Sequence, residues 1–223
     1  MPSTWREDPA RWFSAADREA VGLAARRAEA GHAGEIVPYV VRHCAMGAES
    51  AWMAAAAGAL AGAGAAALIA SWWSLDWPLA IWILAPPFLG ASLGWLLSWL
   101  LPGLEARILS ADAIDRRVAT RARLAFLDEA VFNTRDRSGL LIFIALRERR
   151  ALVLADEGIS ARVGSDEWQA IIDGIVAQIR VGRPAAGLVE AIEACGVLLE
   201  RQGPPVREDD SDELSDALRI SGD

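Results

Sequence analysis

Two uncharged apolar stretches in the middle of the chain constrain its fold more than any other feature. Ala51 to Ala70 reads AWMAAAAGALAGAGAAALIA, and Pro78 to Leu101 reads PLAIWILAPPFLGASLGWLLSWLL, with no charged residue in either. The hydrocarbon core of a bilayer demands about 20 consecutive apolar residues of helix, and each stretch meets that length. SWWSLDW connects them and carries one acid. Seven of the ten tryptophans (Trp52, Trp72, Trp73, Trp77, Trp82, Trp95 and Trp99) lie in or beside the block, and indole is favoured at membrane interfaces. A hairpin buried in a soluble core is the competing reading, but two uncharged spans with aromatic flanks fit a bilayer better. We therefore expect a transmembrane hairpin over residues 51–101.

Arginine sets the orientation. Arg26, Arg27 and Arg42 precede the first span, and Arg107, Arg116, Arg117, Arg121 and Arg123 follow the second, while the connecting loop has none. The excess of basic residues on the cytoplasmic side then puts both termini in the cytoplasm. Each span carries a G-x-x-x-G pair, Gly58 with Gly62 and Gly90 with Gly94, a spacing that lets helix backbones approach closely. Packing of the two spans on each other is the expected use, with homo-oligomerisation the sharper claim. Pro86-Pro87 is expected to kink the second span. No intramembrane charge marks a transport path.

The rest of the chain is the size of one small domain, split by the hairpin. After a tail over 1–13, Ser14 to Ala30 reads as a helix opened by a Ser14/Asp17 capping box, with Ala20, Leu23, Ala24 and Ala28 on its apolar face. Gly34 to Val41, GEIVPYVV, reads as a strand. Beyond the hairpin, Leu104 to about Val131 is a helix, with Leu104, Ile108, Ile114 and Val118 at helical spacing. Gly139 to Leu146 is a continuous apolar strand, expected to be buried on both faces. Arg147 to Arg150 turn, and Ala151 to Ala155 return. Ser165 is expected to cap a helix with Trp168, Ile171, Ile172, Ile175, Val176 and Ile179 on its core face. Pro184 opens a last helix lined by Leu188, Ile192, Cys195 and Leu199 and stopped at Gly203-Pro204-Pro205.

A two-stranded hairpin is not stable alone, and Gly34–Val41 is the obvious third strand. Two spans return the chain to its starting side, so residues 14–44 and 104–203 can fold together. The expected fold is α/β, a small mixed sheet flanked by helices and interrupted by a two-helix transmembrane hairpin. An acidic, disordered tail is expected over 204–223.

Composition excludes several functions. All 22 basic residues are arginine, which points to a GC-rich bacterial genome and rules out the lysine of a P-loop. The net charge of −8 argues against nucleic acid as a partner. Cys44, Cys195, His32 and His43 form no zinc spacing. The C-x5-R spacing of Cys195 and Arg201 falls on the apolar face of a helix rather than on an anion-cradling loop. The tail lacks the glycine and terminal glutamate of an EF-hand.

Acids gather at the open ends of the central hairpin: Asp136 at its entry, Asp156 and Glu157 at its exit. On the residues alone they fit turn formers and solubilising edge charges. They also fit a rim where carboxylates meet a metal or a substrate, with Arg135 and Arg137 as phosphate clamps.

The ordered set EAGHAGEIVPYVV, FNTRDRSGLLIFIALRERRALVLADEGI, Trp168, GRPAAGLVEAI and the closing DELSD resembles the TPM domain family, known from a thylakoid acid phosphatase, a photosystem repair protein and a receptor modulator. The likeness is nearest to a bacterial membrane subgroup with a hairpin of spans at this place. It implies a sheet with helices on both sides. It also implies that Asp136, Asp156 and Glu157 match the family's acidic strand-end positions, which in some members bind a divalent cation, here Ca²⁺ or Mg²⁺. The leading expectation is a protein of the bacterial inner membrane that binds or stabilises other membrane proteins. The alternative is a weak metal-assisted phosphomonoesterase.

Overall fold

The computed structural model describes residues 12–44, 47–72, 78–100, 110–203 and 214–221. Expectations that fall on Trp73, Trp77, Leu104, Arg107, Ile108 and residues 204–213 lie outside the described residues. The chain divides into two compact units, Met1–Cys44 with Ile114–Asp223, and Ala45–Ala113.

The first unit is built from α1 (Ala15–Glu29), β1 (Glu35–Val41), α4 (Ala111–Asp128), β2 (Gly139–Ala145), β3 (Arg150–Ala155), α5 (Glu157–Ser160), α6 (Ser165–Arg180), α7 (Pro184–Gln202) and β4 (Arg219–Ser221). Its sheet has the order β3-β2-β1-β4. β1 runs parallel to β2, from Glu35↔Gly139 to Val41↔Ala145. β4 is parallel to β1, and β3 is antiparallel to β2.

Every residue of β1 and β2 is buried. Successive strand residues face opposite sides, and each side has its own core. Ile36, Val40, Leu140, Ile142 and Ile144 pack with Ile175 and Ile179 of α6, Leu188, Ile192, Cys195 and Leu199 of α7, and Val21, Ala24 and Ala25 of α1. Val37, Tyr39, Val41, Leu141, Phe143 and Ala145 pack with Val118, Ala122 and Ala125 of α4. Tyr39 stacks on Phe143 at 5.8 Å, with the Arg121 guanidinium 5.7 Å from the Tyr39 ring. A sheet covered on both faces needs continuous rather than alternating apolar strands, which is why GLLIFIA reads as it does.

The expected capping box opens α1: Ser14 donates its N–H to Asp17 Oδ2 at 2.9 Å, and Asp17 donates back to Ser14 Oγ at 3.1 Å. The expected apolar face of α1 needs correction. Ala24 is buried and Ala28 packs on the core as expected, but Ala20 and Leu23 (40%) are exposed, and Val21, Gly22 and Ala25 are buried in their place. Residues 20–25 are nearly all apolar, so sequence periodicity fits more than one phase. Packing selects the phase that brings Ala28 against Gly196 of α7. The cap of α6 also shifts by one residue. Gly164 is the N-cap, its N–H donated to Glu167 Oε2 at 3.2 Å, and Ser165 is the first helical residue.

The largest correction concerns the tail. Arg219–Ser221 is a strand, so the expected disorder fails over 214–221. Arg219 Nε reaches Glu129 Oε2 at 2.7 Å, and Leu218 and Ile220 pack on the core. These two apolar residues, hidden among acids, anchor the end of the chain.

The second unit is a pair of helices, α2 (Gly47–Trp72) and α3 (Leu79–Leu100). Ala51–Trp72 is long and apolar enough to cross a membrane by length and composition, and the described apolar stretch of α3 is Ile83–Ser98. The helices meet through small residues. A Cβ on Gly58 would overlap the Gly90 carbonyl, one on Gly62 the Pro86 carbonyl, and one on Gly94 the Ala54 carbonyl. The bulky side chains point the other way: Trp52 (74%), Leu60 (75%), Trp72 (84%) and Phe88 (75%) are exposed, while Ala55 and Ala66 are buried. Pro86 and Pro87 sit inside α3, where neither has an N–H to donate to the preceding turn.

Replacing Gly90 by Leu is expected to force α2 and α3 apart. Overpacking a close contact costs about 1–3 kcal/mol, so G90L in detergent should unfold at lower temperature by circular dichroism. Gly64→Leu meets open space and should be near neutral.

Candidate functional site at the acidic rim

The rim lies where β1 and β2 begin and β3 ends. A tight turn over Thr134–Ser138 leads into β2. Ser138 donates its N–H to Thr134 Oγ1 at 2.8 Å, and Arg137 takes a positive φ of 55°. Gly158 of α5 rests directly on this turn, donating its N–H to Arg137 O at 2.9 Å. A Cβ at Gly158 would collide with the Asp136 and Arg137 carbonyls, so only glycine fits there.

Asp156 is the best-placed acid, 7% exposed. Its N–H continues the ladder to Gly139 O at 2.9 Å, and its Oδ1 accepts the Glu157 N–H at 2.8 Å as the N-cap of α5. Its Oδ2 lies 3.1 Å from Arg137 Nε, an ion pair whose angle falls short of a hydrogen bond. Glu157 is exposed and Asp136 half-buried. Asp156 is thus brought to Arg137, while the contact with the Asp136 backbone is made by Gly158. Among the described residues, no three or more His, Cys, Asp or Glu side chains are grouped to hold a metal ion.

A second acidic group lies on the same rim, and reading the sequence did not find it. Glu29 ends α1, and its Oε1 accepts the Ile36 N–H at 2.6 Å. The need for this bond follows from the strand. Glu35 donates its N–H toward β2, to Ser138 O at 3.1 Å, so the Ile36 N–H points to the opposite side, where β4 pairs only from Tyr39. Pro38, next on that side, has no N–H to satisfy. Glu29 and Pro38 together account for the β1 donors that β4 does not reach. The available signal was Glu29 itself, an acid in the last turn of a helix, where the dipole disfavours it.

Asp216, buried just before β4, interacts with Glu29 and lies 3.5 Å from Arg26. Burial pushes the Glu29 carboxyl up to about 9; the Ile36 amide opposes this, and the hydrogen bond and charge of Asp216 add to it. At neutral pH Glu29 is therefore a neutral acid held beside Asp216. His32, in the α1–β1 turn, accepts the Gly34 N–H on Nδ1 at 3.0 Å, so its proton sits on Nε2. Burial lowers its pKa. Cys44 and Cys195 are both pushed up to about 12, chiefly by burial, which leaves them unreactive thiols.

Residues 103–198 match the family model of the TPM domain. No curated protein matches the chain. Among solved structures, the chain is similar to the NMR structure of the BA42 protein from the psychrophilic bacterium Bizionia argentinensis, with a TM-score of 0.55 and 20% identity over 94% of this chain and 95% of that one. At that identity the likeness is one of fold.

Two outcomes are expected. Asp156→Ala removes the cap of α5 and the partner of Arg137, so it should cost about 1–2 kcal/mol in chemical denaturation, with Asp156→Asn retaining most of the cap. Stability should also bend with pH in two windows. Glu29 holds in the fold a proton that the unfolded chain releases near 4.5, so its contribution is full below that pH and is lost as pH rises through about 9. His32 takes up its proton more readily unfolded, so stability falls as pH drops below 6.5. Glu29→Gln should flatten the alkaline limb of a melting-temperature profile, and His32→Gln the acid one.

Proposed function

We propose that the chain is a TPM-domain protein of the bacterial inner membrane, anchored by α2 and α3 as two spans with both termini and the α/β unit in the cytoplasm. On this reading it binds or stabilises other membrane proteins rather than turning over a substrate. The inverted packing of the second unit carries the proposal. A soluble helical pair buries its large apolar side chains; α2 and α3 bury glycine and alanine and present Trp, Leu and Phe outward. That arrangement suits lipid, where helices gain by close backbone approach rather than by hiding leucine. The arginines on both sides of the pair support the cytoplasmic orientation.

The state of Asp156 supports a binding role over a catalytic one. A phosphomonoesterase would need Arg137 as a phosphate clamp and Asp156 as a ligand or base, and these two side chains are engaged with each other. A divalent cation, Ca²⁺ or Mg²⁺, belongs to the reading only through Asp156, whose carboxylate it would reach by displacing Arg137, because Asp136 and Glu157 are not grouped with it as a three-acid site.

Two measurements test the proposal. A fluorescent protein fused to the C-terminus should fluoresce, and an alkaline phosphatase fused there should be inactive; the reverse pattern contradicts the orientation. Full-length protein in detergent with Mg²⁺, Mn²⁺ or Ca²⁺ should release no phosphate from a generic phosphomonoester above a buffer blank. Turnover abolished by Asp136→Ala with Asp156→Ala would establish the enzyme instead.

A further inference from the structure

We propose that the end of the α/β unit opposite the acidic rim is a docking surface for anionic phospholipid headgroups. The proposal rests on the reading of α2 and α3 as spans and adds the surface that meets the bilayer. Topology gathers arginine at this end. β1 and β2 both finish there: Arg147 donates its N–H to Arg42 O at 3.1 Å, and Cys44 donates its own to Glu148 Oε1 at 3.0 Å. α4 starts there, because Arg150, the first residue of β3, holds Asp115 near the start of α4 at 2.6 Å. The joint between α6 and α7 lies there as well. Gln202 at the end of α7 reaches Glu167 at the start of α6 at 2.7 Å, and Leu199 packs at Gly34, just before β1. The other ends of these helices, Arg180 and Arg183, are therefore a helix length of about 24 Å from the rim.

Across residues 42–44, 111–121, 147–150 and 180–183 there are nine arginines and three acids, in a chain where acids outnumber arginines 30 to 22. α1 also begins at this end and adds Arg18 between Asp17 and Glu19. An arginine that takes part in a hydrogen bond keeps its charge, so the field of this end is set by the excess and is positive. Arg116, Arg180 and Arg183 are exposed, and between the last two Val181 is 64% exposed beside Gly182 at a φ of 79°. An apolar tip flanked by guanidinium groups suits the headgroup layer, where arginine pairs with phosphate and the valine leaves water. The occupant follows from the chain path. The unit's own chain leaves at Cys44 and returns at Ile114, and both points lie at this end. Basic residues next to a span are attracted to anionic lipid over about a Debye length. The acidic rim, at the other pole, is then left in solvent.

Fluorescence quenching on the full-length protein in nanodiscs tests the docking. The discs hold phosphatidylcholine alone or with phosphatidylglycerol, and a fluorophore is placed on Val181→Cys; buried Cys44 and Cys195 stay unlabelled. A nitroxide on the lipid headgroup should quench this label strongly with phosphatidylglycerol, and weakly without it or at high salt. The same fluorophore on Ser160→Cys, at the rim, should stay bright throughout. Arg116→Glu, an exposed position on a different element from the label, should lower the ratio of docked to undocked unit by roughly tenfold. Quenching at Val181 that ignores phosphatidylglycerol, salt or Arg116→Glu overturns the proposal, as does equal quenching at Ser160. Tryptophan quenching by brominated acyl chains reports insertion of α2 and α3 in either lipid. If it is absent, the membrane reading fails and this proposal with it; if it is present while the Val181 label stays bright, the docking alone is overturned.

Discussion

The parallel pairing of β1 with β2 is the interaction on which the rest of the structure depends. These strands supply buried apolar side chains to both cores, and more than half of those on the α4 side. They come from opposite sides of the α2–α3 unit, yet they align residue for residue from Glu35↔Gly139 to Val41↔Ala145. The entropy of closing so long a connection grows only with the logarithm of its length, and an intervening pair of helices with its own close packing reduces the freedom still further. A parallel pair demands a crossover rather than a tight turn, and here the inserted unit stands in that crossover.

The sheet's two layers explain the chemistry of the rim. A central strand buried on both faces must have every N–H accounted for, and β1 outruns its short neighbour β4. Glu29 supplies the missing acceptor for Ile36, and its burial, reinforced by Asp216 beside it, favours the protonated form. On the other side of β2, Asp156 caps α5 and holds Arg137. The rim carboxylates therefore organise the chain where the strands begin. An acid committed to a cap and an ion pair is less available for chemistry than its place at a strand end suggests.

Much of this was legible in the sequence, for physical reasons that differ by element. The uncharged stretches, the continuous run GLLIFIA and the Leu188–Ile192–Cys195–Leu199 stripe each admit one periodicity, and the structure follows it. Asp156 and Arg137 were visible as neighbours at the ends of strands, though their mutual pairing was not. What escaped was set by tertiary contacts. The face of α1 was blurred by an almost uninterrupted apolar run over residues 20–25, where packing buries Val21 and Ala25 rather than Ala20 and Leu23. β4 was hidden because three residues carry no periodicity and their acidic surroundings suggest solvent. Glu29 was hidden because its role follows from a strand register that no local pattern encodes.

Hydrogen exchange on the full-length protein in detergent tests the central claim most directly, namely that residues on both sides of the inserted helices form one cooperative sheet. The amides of Val37, Tyr39 and Val41 should exchange as slowly as those of Leu140, Ile142 and Ile144, and the two sets should open together as denaturant is added. Rapid exchange in β1 while β2 stays protected would contradict the account, because the two strands would then belong to separately folding units.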